Sequence, residues 1–302
     1  MATPESTFTF EPPTWTDTLK MSVRQVRKLR ARIIPEGLVL VMIMLFASSF
    51  IIETISPWDA ERGRPQDRNM APTYEAKFWD GHLMGTDQQG RDVFVRVIKG
   101  ARFSFYVAII ALAIGGSVGL VVGIVAGFFG GKLDNFLMRC TDIVLAIPVI
   151  FAALLLAALY SPSLKLVAIA LGINLWALYA RMIRGESLSL AQRDFVKLSR
   201  IAGAGGLRIM VYHIFPHVTS TWLVLLSLQV GSAILAEASL SFLGAGIPPP
   251  TPAWGQMAAA GRSYIETAWW ISVYPGVAIL TVVLCFNLVG DWARDRLDPR
   301  FQ

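Results

Sequence analysis

Phe103 to Gly131 reads FSFYVAIIALAIGGSVGLVVGIVAGFFGG, 29 residues without one charged side chain. A helix crosses the hydrocarbon core of a bilayer with about 20 mostly apolar residues, and a strand needs about half as many. The run is too long for a strand and long enough for a helix that overshoots the core. Within it Gly115, Gly119, Gly123, Gly127 and Gly131 recur every fourth residue. Residues four apart stack on one helix face, and a glycine face lets a second helix backbone approach closely. Gly115, Gly119, Gly123 and Gly127 are therefore expected to form a packing face inside a multi-helix assembly.

Working outward, five more uncharged runs appear: Gly37–Ile52, Ile143–Leu164, Leu166–Ala180, Ile209–Ala236 and Thr267–Gly290. They give an expectation of six membrane helices at about 36–55, 104–128, 137–160, 165–183, 219–244 and 268–290. The chain has 302 residues, 54% of them apolar and only 16% charged, against about 25% charged in a soluble domain. Disorder is excluded by that apolar content. Cys140 and Cys285 are too few and too far apart for a disulfide framework or a paired-cysteine metal site. The net charge of +6 comes from basic residues set between long apolar runs, a pattern of a membrane surface and not of nucleic-acid binding. The first apolar run follows about 35 polar residues and lacks a small-residue cleavage site, so it is expected to stay as an anchor.

Orientation follows from Lys and Arg. Six spans place the N-terminal tail, the 129–139 turn, the 181–218 loop and the C-terminal tail on one side, and these segments hold 17 of the 27 basic residues. That side is expected to be the cytoplasm, although the 56–103 loop on the other side carries eight Lys or Arg beside seven Asp or Glu. The expected organisation is a cytoplasmic tail over 1–35, a first helix over 36–55, an extracytoplasmic loop over 56–103, a five-helix core over 104–290 and a cytoplasmic tail over 291–302.

The polar residues inside this frame carry little catalytic chemistry. Gly130-Gly131-Lys132 fails as a phosphate loop, because Ala126 and Leu133 stand where the pattern needs Gly and Ser or Thr. Nucleotide hydrolysis is thus expected on another chain. Arg139 and Asp142 are expected to pair across three residues. Glu237, alone in an apolar stretch near the outer end of the fifth span, is a candidate pore or gate residue, with capping of a neighbouring loop and a coupling-ion role as alternatives. His213 and His217 lie four apart but lack a third metal ligand, so no metal is expected. Residues 85–92 (GTDQQGRD) read as a compact polar cap before the second span, and 247–255 (IPPPTPAWG) as a stiff extended loop with Trp254 at the interface.

The cytoplasmic loop over 184–218 is the most informative polar segment. Asp194 to Gly203 (DFVKLSRIAG) reads as a short amphipathic helix ending at glycine, with Phe195, Leu198, Ile201 and Ala202 on one side. Leu207 to Phe215 starts a further helix, and Pro216 marks the membrane entry. An apolar stripe among Arg193, Lys197, Arg200 and Arg208 suits docking into a groove of another protein, or a helix lying on lipid headgroups.

This loop resembles the E-A-A loop of permeases of ATP-driven (ABC) importers, a pattern E-A-A-x-x-x-G, nine residues, then I-x-L-P. Gly203 and Pro216 stand at its Gly and Pro positions; Lys197, Leu198 and Ser199 occupy the E-A-A positions, and His213 and Phe215 the I and L positions. The segments at 85–92, 126–134, 138–148, 239–255 and 286–299 resemble the second permease subunit of dipeptide, oligopeptide and nickel importers. The resemblance implies an all-α integral membrane protein with the six-helix type I ABC importer permease fold, both termini cytoplasmic, in a bacterial or archaeal cytoplasmic membrane. It implies a pore-forming subunit, not an enzyme, that moves peptides or similar small solutes. Its partners would be a second homologous permease, two ATPase subunits, an extracytoplasmic substrate-binding protein and the lipid bilayer. The chain itself would hold no cofactor, ATP and Mg residing on the ATPases. The residues that would couple to them are Asp194, Phe195, Lys197, Leu198, Ser199, Ile201, Ala202, Gly203 and Pro216. The alternatives are an ion-coupled carrier working alone through Glu237, which lacks the expected repeated halves, and a membrane enzyme using His213 and His217, which lacks further polar groups deep in the spans.

Overall fold

The computed structural model describes residues 36–74 and 81–297. The tail over 1–35, residues 75–80 and the last five residues lie outside that range, and with them the expectations placed there. Among the described residues the chain is helical, without a named strand. The long helices are α1 (Glu36–Ile55), α2 (Val93–Phe129), α5 (Leu164–Ala191), α8 (Phe215–Phe242) and α10 (Trp270–Leu297). Between them lie α3 (Gly131–Ala146), α4 (Val149–Leu159), α6 (Asp194–Ile201), α7 (Gly206–Ile209) and α9 (Trp254–Gly261). Five helices are long and apolar enough to span a membrane, and the bent pair α3–α4 brings the number to six if it crosses as one broken span.

α2 is the axis of the bundle. Its glycine face lies against α5, four residues of one helix matching four of the other. A Cβ placed on Gly115 would lie 2.6 Å from Leu175 Cβ, on Gly123 2.7 Å from Ile183 Cβ and on Gly127 2.6 Å from Ser187 Cβ. On Gly119 it would collide with Tyr179 Cβ and the Trp176 carbonyl. Real carbon atoms do not approach so closely, so the two backbones meet at a distance only glycine permits. Gly131, the fifth in the series, faces open space and turns the chain with φ +59°. On another face of α2, Gly116 makes room for Leu226 and Trp222 of α8, and Trp222 Nε1 donates to the Gly116 carbonyl at 3.0 Å.

Several boundaries differ from those expected from the apolar runs. α2 begins at Val93, not at 104, because Asp92 caps it, accepting from Val95 N at 2.8 Å. The charged side chains of its first turns are held by the preceding loop: Lys99 pairs with Glu61 at 2.8 Å and with Glu53, and Arg96 donates to the Ala60 carbonyl. The third span is not one helix over 137–160. It starts at Gly131 and bends by 79° between α3 and α4. Pro148 has no N–H for the ladder and forces Ile147 into an extended conformation, φ −95° and ψ 116°. α5 continues past 183 to Ala191 and α10 past 290 to Leu297.

Trp254 is not at an interface. It is fully buried, donates from Nε1 to the Val97 carbonyl at 2.8 Å and opens α9, whose first two residues fall in the stretch expected to be extended. Gly100 leaves the space its indole fills. The 85–92 segment does form a polar cap: Arg91 Nε donates to Asp87 Oδ2 at 2.7 Å, and His82 Nδ1 lies 2.7 Å from Asp92 Oδ2. Trp270 Nε1 donates to the Thr86 carbonyl at 3.0 Å, fastening the cap to α10.

Candidate coupling loop

α6 forms where the amphipathic pattern places it, but its apolar residues divide between two jobs. Val196 is fully buried in a cluster with Leu120, Ile124 and Phe128 of α2, Ile183 and Leu190 of α5, Ile209 of α7 and Val218 of α8. Phe195 turns inward and stacks on His217, ring centroids 5.2 Å apart and planes 17° from parallel. Leu198 is 64% exposed and Ile201 83%, and Ala202 is exposed beside them. One face of α6 is therefore rooted in the bundle and the other presents apolar surface to the outside. Leu207, 72% exposed, extends that surface. Lys197, Arg200 and Arg208 stand around it, and Lys197 Nζ reaches Asp194 Oδ1 only at 3.5 Å. An exposed pair of that length contributes little.

The end of α6 is a glycine-terminated cap. Gly203 has φ +83°, its N–H bonds the Arg200 carbonyl at 3.0 Å, and Ala204 N–H bonds the Ser199 carbonyl at 3.0 Å. These two bonds close orphan carbonyls of the last turn and require a left-handed residue at Gly203. Arg200 lies over the Phe128 ring at 4.7 Å, covering the end of α2.

Pro216 is not at the entry to a separate helix. α7, a π-helical turn over Met210–Ile214 and α8 run on as one helix from Gly206 to Phe242, and Pro216 is the second residue of α8. Proline removes one N–H and crowds the carbonyl four residues before it. The wider π turn directly upstream is where the helix accommodates that loss. The two histidines, read only as unlikely metal ligands in the sequence, brace this turn against α6. His217 Nδ1 donates to the His213 carbonyl at 2.6 Å, and His213 Nε2 lies 3.4 Å from Ser199 Oγ. No group of three metal-ligating side chains occurs among the described residues. Val196, His213 and His217 are residues that sequence reasoning did not assign to the loop's attachment. The signal for Val196 was available, since it lies three residues before Ser199, whose hydroxyl faces His213, and so falls on the inner side of α6.

The remaining candidates fall elsewhere. Asp142 does not pair with Arg139. It meets Arg181 of α5 at 2.6 Å, and Asp134 meets Arg184 through two parallel bonds, the second at 2.6 Å, so both pairs tie α3 to α5. Glu237 is not reached by water in this chain. It is fully buried and accepts from Ser104 Oγ of α2 at 2.8 Å and from Ser241 Oγ at 2.7 Å, while Ser241 Oγ in turn accepts from Ile247 N at 3.4 Å. The carboxylate ties α2 to α8 and to the loop that follows.

Residues 119–302 match the model of the binding-protein-dependent transport system inner membrane component family. The chain belongs to that family. Among curated members of this permease family, it is 42% identical over 268 residues to the dipeptide transport system permease protein DppC of Escherichia coli (strain K12), covering 88% of each chain. It is 37% identical over 270 residues to the di/tripeptide transport system permease protein DppC of Pseudomonas aeruginosa (strain UCBPP-PA14), again 88% of each. Against the glutathione transport system permease protein GsiD of Pectobacterium atrosepticum the identity is 35% over 264 residues, 87% of this chain and 86% of that one. The fold is similar to that of a chain of the MetNI methionine ABC transporter solved in inward-facing conformations, with a TM-score of 0.58 at 17% identity, over 68% of this chain and 97% of that one. This permease is thus an inner-membrane transport subunit of an ABC importer with the type I fold, not itself an enzyme. The ion-coupled carrier and the membrane enzyme are set aside.

Proposed function

We propose that this permease supplies one half of the pore of a peptide importer, and that α6 is the element through which ATPase subunits drive it. The observation that carries the reading is the division of α6: Val196 is buried among α2, α5, α7 and α8, while Leu198 and Ile201 stand exposed. A partner groove that takes up Leu198, Ile201 and Leu207, with the basic residues at its rim, gains apolar burial worth about 25 cal/mol per Å². When such a groove moves, α6 moves with it. Val196 and the Phe195–His217 stack then transmit the displacement to three spanning helices together, because a packed core shifts between arrangements and does not absorb strain locally. ATP and Mg belong on those partner subunits in this reading, and a second homologous permease completes the pore. α4, with Ala153 as its buried residue, leaves Phe151, Leu155 and Leu159 exposed for lipid or that second permease. An extracytoplasmic binding protein would deliver the solute. Peptide is the substrate class named for the relatives at 37–42% identity, which is what supports it here.

The test is a double variant, Leu198→Asp with Ile201→Asp, in the coexpressed importer. Neither side chain is packed in the bundle, so the permease should still insert and fold. ATPase subunits should copurify poorly and dipeptide uptake should be lost. Normal copurification together with normal uptake would remove α6 from the coupling role.

A further inference from the structure

The extracytoplasmic cap encloses a cavity of about 240 Å³ between the 87–96 segment, the loop at Pro249, α9 and the start of α10. Asp87, Gln88, Arg91, Arg96, Gln256 and Met257 are among its walls. Arg91 is 4% exposed and Arg96 1%. The acidic groups nearby are already engaged. Asp87 Oδ2 takes Arg91 Nε at 2.7 Å, and its Oδ1 takes Arg91 N at 3.0 Å and Gln89 N at 2.8 Å. Asp92 holds His82 and the N-terminus of α2, and Glu61 holds Lys99. Arg96 Nε stands 3.6 Å from Asp87 Oδ2, beyond hydrogen-bond reach. Four buried polar atoms of the cavity walls find no partner among the described residues: Arg91 Nη1, Arg96 Nε, Gln88 Oε1 and Gln256 Oε1.

We propose that this cavity binds a carboxylate group presented from the extracytoplasmic side. Two guanidinium groups share a single carboxylate, Asp87, among the cavity walls, so the charged side chains of the wall sum to a net positive charge. A planar carboxylate matches the fork of a guanidinium better than any other common anionic group of peptides and proteins. The side-chain amides of Gln88 and Gln256 can present either oxygen or NH₂ by a half-turn, so each can donate to that carboxylate or accept from an N–H beside it. The volume equals about eight waters at ~30 Å³ each, room for a carboxyl group on a short side chain. The carboxylate has two sources at this face: a small solute, or an acidic side chain of the docked binding protein. The second source rests on the proposed docking of such a protein; the first does not.

The experiment uses the intact importer in nanodiscs, as wild type, Gln256→Leu and Arg91→Lys. Gln256→Leu removes an unpartnered group and leaves every ion pair of the cap in place, so it guards against loss of folding in Arg91→Lys. Sodium propionate is compared with propionamide at equal ionic strength by thermal unfolding and direct binding. Association with the purified binding protein is measured in parallel. Saturable stabilisation by propionate alone, weakened about tenfold or more in both variants, assigns the site to free carboxylates. No response to propionate, with binding-protein association weakened about tenfold or more in both variants, assigns it to an acidic side chain of that protein. If propionate has no effect and association is absent or unchanged by both variants, the cavity holds water alone and the proposal is overturned.

Discussion

At the scale of single residues, Glu237 and Gly203 show how differently one position can matter. Glu237 takes both of its hydrogen bonds from serine hydroxyls, 2.8 Å from Ser104 and 2.7 Å from Ser241, and no ion pair involves it among the described residues. Replacing it by Leu leaves two buried hydroxyls unpaired, at a cost of about 1–3 kcal/mol for each. Gln keeps one oxygen for one serine and offers NH₂ to the other, whose hydroxyl can rotate to accept. Glu237→Leu should therefore lower the thermal unfolding temperature of the importer clearly, and Glu237→Gln only slightly, with uptake retained. Loss of uptake in a normally stable Glu237→Gln protein would mean that the carboxylate does more than clasp α2 to α8. At Gly203 the constraint lies in the backbone. Its φ is +83° and a Cβ there would meet nothing within 4 Å, so Ala costs only the left-handed strain, about 1–2 kcal/mol. Gly203→Asp adds a charge beside the exposed face of α6. It should leave all the spans inserted, reduce ATPase copurification and abolish uptake, more severely than Gly203→Ala. Equal effects of Ala and Asp would place the whole defect in the turn.

Among elements, the α2–α5 pair offers the cleanest test of packing. A large side chain on the glycine face must push two helices apart, and overpacking of this kind costs about 1–3 kcal/mol. Gly119→Leu and Gly123→Leu should each lower unfolding temperature and complex yield. Gly185 of α5 is the control: nothing lies within 4 Å of its Cβ position, and Gly→Ala within an exposed helix gains up to ~1 kcal/mol. Gly185→Ala should be neutral or stabilising in the same assay, and a loss there as large as at Gly119 would point to an interface outside this chain. The ladder was legible in the sequence because four-residue spacing has one structural meaning on a helix. Its partner was not, because α5 meets it with ordinary residues, Leu175, Tyr179, Ile183 and Ser187, that carry no mark of their own. Helix ends were hidden for a related reason. Counting uncharged residues finds the part of a helix that lipid requires, whereas α2, α5 and α10 run on past it; at the start of α2 the Asp92 cap and the buried Lys99–Glu61 pair sustain the extension. Trp254 misled because a tryptophan beside four prolines reads as an interface anchor, and only the space left by Gly100 shows that it faces inward.

Over the whole molecule, charge and chemistry are segregated by side. The end that bears α6 shows its exposed apolar face with basic residues around it; the opposite end, where α2 begins, carries a cap whose charges are buried and mostly paired. The expected orientation rests on the concentration of Lys and Arg in the two tails, the 129–139 turn and the 181–218 loop. The loop over 56–103 nearly balances eight basic residues with seven acidic ones. What sequence could not supply was how that balance is spent, since pairs such as Lys99–Glu61 and Arg91–Asp87 exist only after the cap folds. The same segregation bears on where energy enters. The failed phosphate loop at Gly130–Lys132 now has a structural counterpart: Gly130 and Gly131 both adopt positive φ and face open space at the turn between α2 and α3. That turn joins two helices and does not follow a strand, as a phosphate loop does. Purified to homogeneity, this permease alone should therefore hydrolyse no ATP above a mock preparation. Coexpressed with ATPase subunits it should show hydrolysis that rises when liganded binding protein is added, the outcome expected from the α6 contact proposed above. Azide-insensitive hydrolysis by the isolated chain would contradict its place as a transport subunit without a catalytic centre. Hydrolysis by the complex that ignores both the binding protein and the α6 variants would show that the two ends of the molecule are not coupled through α6.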